Sequence, residues 1–168
     1  MTIAEKKAYA AGLMTGEGYF GISIVKSPRL KLKHGWKLSP RFAIYMHDKE
    51  TIEWMASLFE ELGLPAYVSA RGVGRRIDAQ GCKRVRSILS EFLPYLTGQK
   101  LRAAQLVSEF IEIRLSVPQN SAYGQREIEI VNELRSVNGG SKPVKRLIES
   151  SETTRQTRRD GTLIDVKI

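Results

Sequence analysis

The stretch Ala8-Tyr9-Ala10-Ala11-Gly12-Leu13-Met14-Thr15-Gly16-Glu17-Gly18 decides how this chain is read. It completes a run from Ile3 to Met14 that reads as a helix of small and apolar residues. Gly16 and Gly18 end that helix, because glycine readily takes the left-handed conformation that stops helices. Ala8, Gly12 and Gly16 recur at every fourth residue and give the helix a seam without side-chain bulk, which Ala11 and Thr15 widen. Two such helices can approach until their backbones touch, as small-residue seams allow in membranes. The other use of such a seam is packing inside one chain. Glu17, just past the helix body, would be delivered at the bottom of the contact. In a symmetric pair two Glu17 carboxylates converge near the two-fold axis, and converging carboxylates suit Mg²⁺, a hard cation that prefers oxygen ligands.

Outward from this helix, the pattern changes to alternation. Tyr19 to Ser27 reads as a strand with Phe20, Ile22 and Ile24 on one face. After a loop carrying Pro28, Arg29, Lys31 and Lys33, a second strand places Trp36, Leu38, Pro40, Phe42, Ile44 and Met46 on one face. Lys37, Ser39, Arg41, Ala43 and Tyr45 take the other. Pro40 cannot donate to a ladder and implies an edge position or a bulge. Asp48 to Leu62 is helical, closed by Gly63 and Pro65. Ala66 to Arg71 and Arg75 to Gln80 form a hairpin through Gly72 and Gly74. Helices follow over Cys82 to Leu93, Lys100 to Leu115, and about Gln125 to Val137. Past Asn138 the composition shifts to glycine, hydroxyls and charge. The division expected is a domain over 1–150 and a basic tail over 151–168 whose order is left open.

This order implies an α+β fold, an antiparallel four-stranded sheet with helices on one face. The opposite face would carry Lys37, Ser39, Arg41, Tyr67, Ser69, Arg71, Arg76, Asp78 and Gln80. Antiparallel sheets often leave one face wet with no ligand on it. The mixture here suits base reading better: arginine pairs with guanine edges, Gln with adenine and Asp with cytosine amines, in a major groove that admits a β-ribbon.

Composition agrees. The 168 residues carry 27 Lys and Arg against 18 Asp and Glu, a net charge of +9, and such a surplus favours a polyanion as partner. No apolar run approaches the roughly 20 residues of a spanning helix, and nothing reads as a signal peptide. One cysteine, Cys82, rules out an internal disulfide, and with only His34 and His47 beside it a structural zinc site is implausible. A reducing compartment follows: cytoplasm, close to the nucleoid, or an organelle matrix.

Taken together, Ala10 to Gly18 and the elements after it resemble the LAGLIDADG homing endonucleases. Gly12, Leu13, Gly16, Glu17 and Gly18 occupy the signature's key positions. Ala10, Met14 and Thr15 depart from it at positions that concern helix packing, and Glu17 stands for the signature's final aspartate. The resemblance covers roughly Ala8 to Leu115 and, more loosely, the chain to Lys145. It implies an αββαββα fold with a saddle-shaped sheet. One motif copy implies a homodimer with Ala8, Ala11, Gly12, Thr15 and Gly16 at the interface, and a homodimer implies a long pseudo-palindromic DNA site. Glu17 and the Gly16 carbonyl would hold Mg²⁺ or Mn²⁺, with Ca²⁺ binding but not supporting cleavage. Each subunit would cut one strand across the minor groove and leave short 3′ overhangs.

The resemblance also implies a cation beside the scissile phosphate, and Lys100 takes that position. Asp48 aligns with a polar residue that orders the attacking water, and is equally suited to cap the helix after it. Ser23 and Ser27, the loop residues Arg29, Lys31 and Lys33, and Ser141, Lys142 and Lys145 complete the expected DNA contacts. Two other functions suit the same fold: an intron-splicing maturase with intron RNA as partner, and a DNA-binding regulator without catalysis.

Overall fold

The computed structural model describes residues 1–26, 36–119 and 121–139. Thr2 starts the first helix with a reciprocal cap: its hydroxyl accepts from the Glu5 amide at 3.3 Å, and its own amide donates to the Glu5 carboxylate at 2.6 Å. Helix α1 runs Ile3–Glu17 and passes without a loop into strand β1, Gly18–Lys26. Strand β2 (Trp36–Met46), helix α2 (Lys49–Glu61), strands β3 (Tyr67–Arg71) and β4 (Gly74–Gln80) and helix α3 (Cys82–Phe92) follow. A single 3-10 turn, Leu93–Tyr95, leads to α4 (Gly98–Ser116) and α5 (Gln125–Val137). The expected αββαββα order, sheet and helical layer are therefore present. Gly16 does not stop α1, which continues to Glu17, and Ala66 lies outside β3.

The sheet is antiparallel throughout, in the order β1-β2-β4-β3. Phe20, Ile22, Leu38, Phe42, Ile44, Ile77 and Ala79 face the helices and are buried. Aromatic rings carry this core from sheet to helix: Phe20 meets Phe42 at 5.2 Å, Phe42 meets Phe59 at 6.0 Å, and Phe59 meets Phe92 at 5.5 Å. Such pairs add to the area they bury.

Pro40 sits in an interior strand, which corrects the edge expectation. Its carbonyl accepts from the Gly81 amide at 2.9 Å, and the β2–β4 ladder begins only at Arg41 opposite Gln80. Its missing N–H therefore points past the end of β4, where the ladder has no partner for it. The β3–β4 hairpin turns on Gly72-Val73, with Gly72 at φ 58°.

At the far side, α4 and α5 are locked by a buried ion pair. Arg114 and Glu127 approach to 3.1 Å with side chains 8% and 4% exposed, and Arg114 also donates to the carbonyls of Gln119 and Ser121. Those extra bonds satisfy a charge that would otherwise be costly to bury. The Asn138 side-chain Nδ2 then donates to the Phe20 carbonyl at 2.9 Å, tying the end of α5 to β1.

Candidate functional site

The foot of α1 is built by close contact. Gly18 has φ −73°, so the left-handed conformation expected of it is not used. Its amide donates to the Met14 carbonyl, and a Cβ on Gly18 would collide with that same group. Glycine is needed there for close approach. Glu17, the last helical residue, is exposed, and among the described residues its carboxylate has no hydrogen-bond or ion-pair partner.

Lys100 reaches this point from the first turn of α4. Its half-buried ammonium donates to the Gly18 carbonyl, one residue along the chain from Glu17. The register Gly18 opposite Ile44 carries the end of β2 past the same place, where the Tyr45 and His47 rings meet edge to face at 5.3 Å. Asp48 stands two residues beyond β2 and caps α2. Its carboxylate accepts from the Thr51 hydroxyl at 2.6 Å and from the amides of Glu50 and Thr51 at 3.1 and 3.3 Å. The Thr51 hydroxyl and then the Thr51 amide hold this exposed carboxyl below its ordinary range.

Ala8, Gly12 and Gly16 form an open stripe along α1. All three are exposed, and a Cβ built on Gly12 or Gly16 meets nothing within 4 Å. The stripe is thus not used for packing inside the described chain. Ala11 is corrected: it is fully buried, together with Ala10 and Met14, because a step of about 100° from Gly12 turns it toward the sheet. Thr15 is half-buried, and its hydroxyl donates to the Ala11 carbonyl at 2.8 Å.

The strand register gathers the expected polar residues on one sheet face. Ser23 lies opposite Ser39, Arg41 opposite Gln80, Tyr67 opposite Asp78, and Ser69 opposite Arg76. Lys37, Tyr67, Ser69, Arg71 and Gln80 are exposed. Ser39 is 4% exposed, so it is a buried polar residue and not the open contact expected. Sequence reasoning left Tyr19 and Tyr45 out of the site. A Cβ on Gly21 would strike the Tyr19 hydroxyl, and one on Gly74 would lie 2.7 Å from the Tyr45 hydroxyl. Both rings therefore lie along the polar face over glycines, and a bulky aromatic paired with a glycine on a neighbouring face position was the available signal. Arg84 joins them by stacking over Tyr67 at 5.0 Å.

Asp78 occupies the middle of this face, and both its oxygens are engaged. Arg41 donates from Nε at 3.0 Å and from Nη2 at 2.6 Å, and Arg76 Nη2 lies 3.1 Å away. The side-chain bonds to Asp78 raise the Arg41 pKa. Burial, with Arg41 and Arg71 nearby, lowers that of Arg76 despite the same carboxylate. The bidentate Arg41–Asp78 pair is thus the tight one, and Arg76 is the surplus cation of the group.

Among the described residues, no three His, Cys, Asp or Glu side chains gather as a metal site. What one chain offers is Glu17, an open hard-oxygen ligand beside the last carbonyls of a helix, which lack intrahelical donors. Oxygen donors of this kind are those a hard divalent cation takes. Ser27, Arg29, Lys31, Lys33, Ser141, Lys142, Lys145 and the tail over 151–168 lie outside the described residues.

A family model described as LAGLIDADG endonuclease matches residues 10–110, most of the chain, from Ala10 on α1 into α4. The chain belongs to the LAGLIDADG endonuclease family. DNA endonuclease is the activity that goes with this membership. Solved structures agree on the fold. The homing endonuclease I-CvuI, in complex with its target in the presence of Ca, is 18% identical with a TM-score of 0.65, covering 89% of this chain and 96% of that one. The archaeal intron-encoded homing endonuclease I-Vdi141I, complexed with DNA, is 18% identical with a TM-score of 0.68, covering 89% and 98%. The I-SmaMI LAGLIDADG homing endonuclease bound to cleaved DNA is 20% identical with a TM-score of 0.64, and this chain spans 47% of its length. No curated protein is significantly similar in sequence. No helix among the described residues is long and apolar enough to cross a membrane.

Proposed function

We propose that this LAGLIDADG endonuclease acts as a homodimer that makes a divalent-metal-dependent double-strand break in a long, pseudo-palindromic DNA site. One observation carries the reading: Glu17, open and unpartnered among the described residues, ends a helix whose Ala8–Gly12–Gly16 stripe is also open. A self-complementary contact along that stripe brings the two helix feet, and so two Glu17 carboxylates, to one axis. Magnesium is the favoured cofactor, and structures of I-CvuI with DNA in the presence of Mg and of Ca agree with divalent-metal use. A bound metal supplies neutralisation of the scissile phosphate and a more acidic bound water. Glu17 holds that charge in place, and Lys100, beside it through Gly18, stabilises charge that develops on phosphorus.

The polar sheet face lies in the major groove and reads bases, while the arginine and lysine surplus supplies phosphate affinity. The test is selection of cleaved sites from a randomised plasmid library with Mg²⁺, for wild type and Glu17→Gln. Cutting at one pseudo-palindromic sequence, lost in the variant, is the expected result. DNA or structured RNA binding without cutting under any divalent metal overturns it.

A further inference from the structure

The sheet face does not carry independent readers. Arg41 stands on β2 diagonally across from Asp78 on β4, and Arg76 is two residues from Asp78 on the same strand and face. An aspartate has room for about four hydrogen bonds; Arg41 takes two of them, and the Arg76 guanidinium pairs with the same carboxylate at 3.1 Å. Arg41 spends Nε and one side of Nη2 on this contact. Its Nη1 makes no hydrogen bond among the described residues, and the Nη1–Nη2 end is the fork that fits a guanine edge. Arg71 adds a third cation whose charge acts on Arg76. Without Asp78 they repel one another, and each long side chain regains its rotamer freedom.

We propose that Asp78 is a positioning residue for specificity: it reads no base itself, but fixes Arg41 and Arg76 as one rigid unit, so the base pairs they face are read together. This rests on the DNA-cleaving reading above and deepens it. A cytosine amine approaching Asp78 would have to compete with the two guanidiniums already at its carboxylate. As a buttress it also withholds one positive charge from the face. Replacing it with a neutral isostere therefore leaves DNA affinity intact or stronger while fidelity falls.

The experiment compares cleavage profiles of wild type, Asp78→Asn, Arg41→Ala and Arg76→Ala on a site library, with binding affinity measured for each. In Asp78→Asn, discrimination falls about tenfold at the positions that also relax in the two arginine variants, and nowhere else. Paired base changes at those positions are non-additive in wild type and additive in Asp78→Asn, and Asp78→Glu restores part of the discrimination. Relaxation at a single position untouched by either arginine variant makes Asp78 a base reader and overturns the proposal; so does an unchanged profile. Hydrogen exchange at Arg41 Nε, followed by ¹⁵N NMR of the free protein, keeps this separate from failure of the nuclease reading. The proposal expects protection in wild type and its loss in Asp78→Asn. Exchange as fast as that of an exposed arginine in wild type overturns it whether or not DNA is cut.

Discussion

The Lys100 ammonium is bonded to the carbonyl of Gly18, the residue that directly follows Glu17. The Lys100 cation of α4 and the open Glu17 carboxylate of α1 are thereby anchored to the same turn of backbone. In the proposed mechanism Lys100 has two separable tasks, holding that turn and presenting charge. Lys100→Met is expected to reduce single-turnover cleavage by about a hundredfold, as loss of one preorganised charge commonly does. DNA binding is retained, and unfolding stability drops by about 1–2 kcal/mol for the lost charged hydrogen bond. Quench-flow cleavage beside chemical denaturation separates the two.

Glu17→Gln is expected to behave oppositely. Its carboxylate is exposed with no partner among the described residues, so stability changes by less than about 0.5 kcal/mol. Metal-dependent cutting is abolished. A variant that unfolds early, or that still cuts at the wild-type rate, would remove Glu17 from the metal site.

Two glycines six residues apart should respond in different ways. Gly12→Ala adds a methyl into open space and removes a helix-interior glycine, stabilising the isolated subunit by about 0.5–1 kcal/mol. Gly12→Leu leaves the subunit folded but separates the proposed dimer, which sedimentation velocity reads directly. Gly18→Ala drives a methyl into the Met14 carbonyl and costs about 1–3 kcal/mol. A Gly12→Leu protein that still sediments as a dimer would put the contact elsewhere.

The Asp48 cap makes an acid-dependent contribution to stability. Folding depresses its pKa, so the contribution is complete above the unfolded value near pH 4 and disappears as the pH falls through the folded one. Melting temperature measured from pH 6 downward should therefore fall less steeply in Asp48→Ala than in wild type. Asp48→Asn keeps a cap without titration. If cleavage at neutral pH is lost in both variants while their melting temperatures stay close to wild type, Asp48 orders water in addition to capping.

Period-two alternation made the faces of β2 legible, because every inward residue from Leu38 to Ile44 is apolar and the outward ones include Lys37 and Arg41. The signature helix was legible from its small residues. What failed depended on how residues meet in three dimensions. Gly18 has two properties, conformational freedom and the absence of a Cβ, and only the position of Met14 decides which is used. Ala11 was assigned to the open seam because it is small, yet one helical step from Gly12 turns it into the core. Pro40 looked like an edge residue because sequence does not reveal where β4 stops. That Asp78 pairs with Arg41 could not be seen until the register set the two diagonally across from each other. Resemblance alone places Lys100 at the site, and its bond to Gly18 follows from how α4 packs against β1.

The direct passage from Glu17 to Gly18, helix to strand with no residue between, makes α1 and β1 two arms of a stiff lever. In the proposed dimer, the separation and tilt of the two reading surfaces are then set by how the α1 stripes mesh, with no loop to absorb a change. Target length and target sequence become separately inherited traits. Substitutions on the outward strand positions can wander among sequences of one length, while a new spacing between half-sites requires re-cutting the stripe itself.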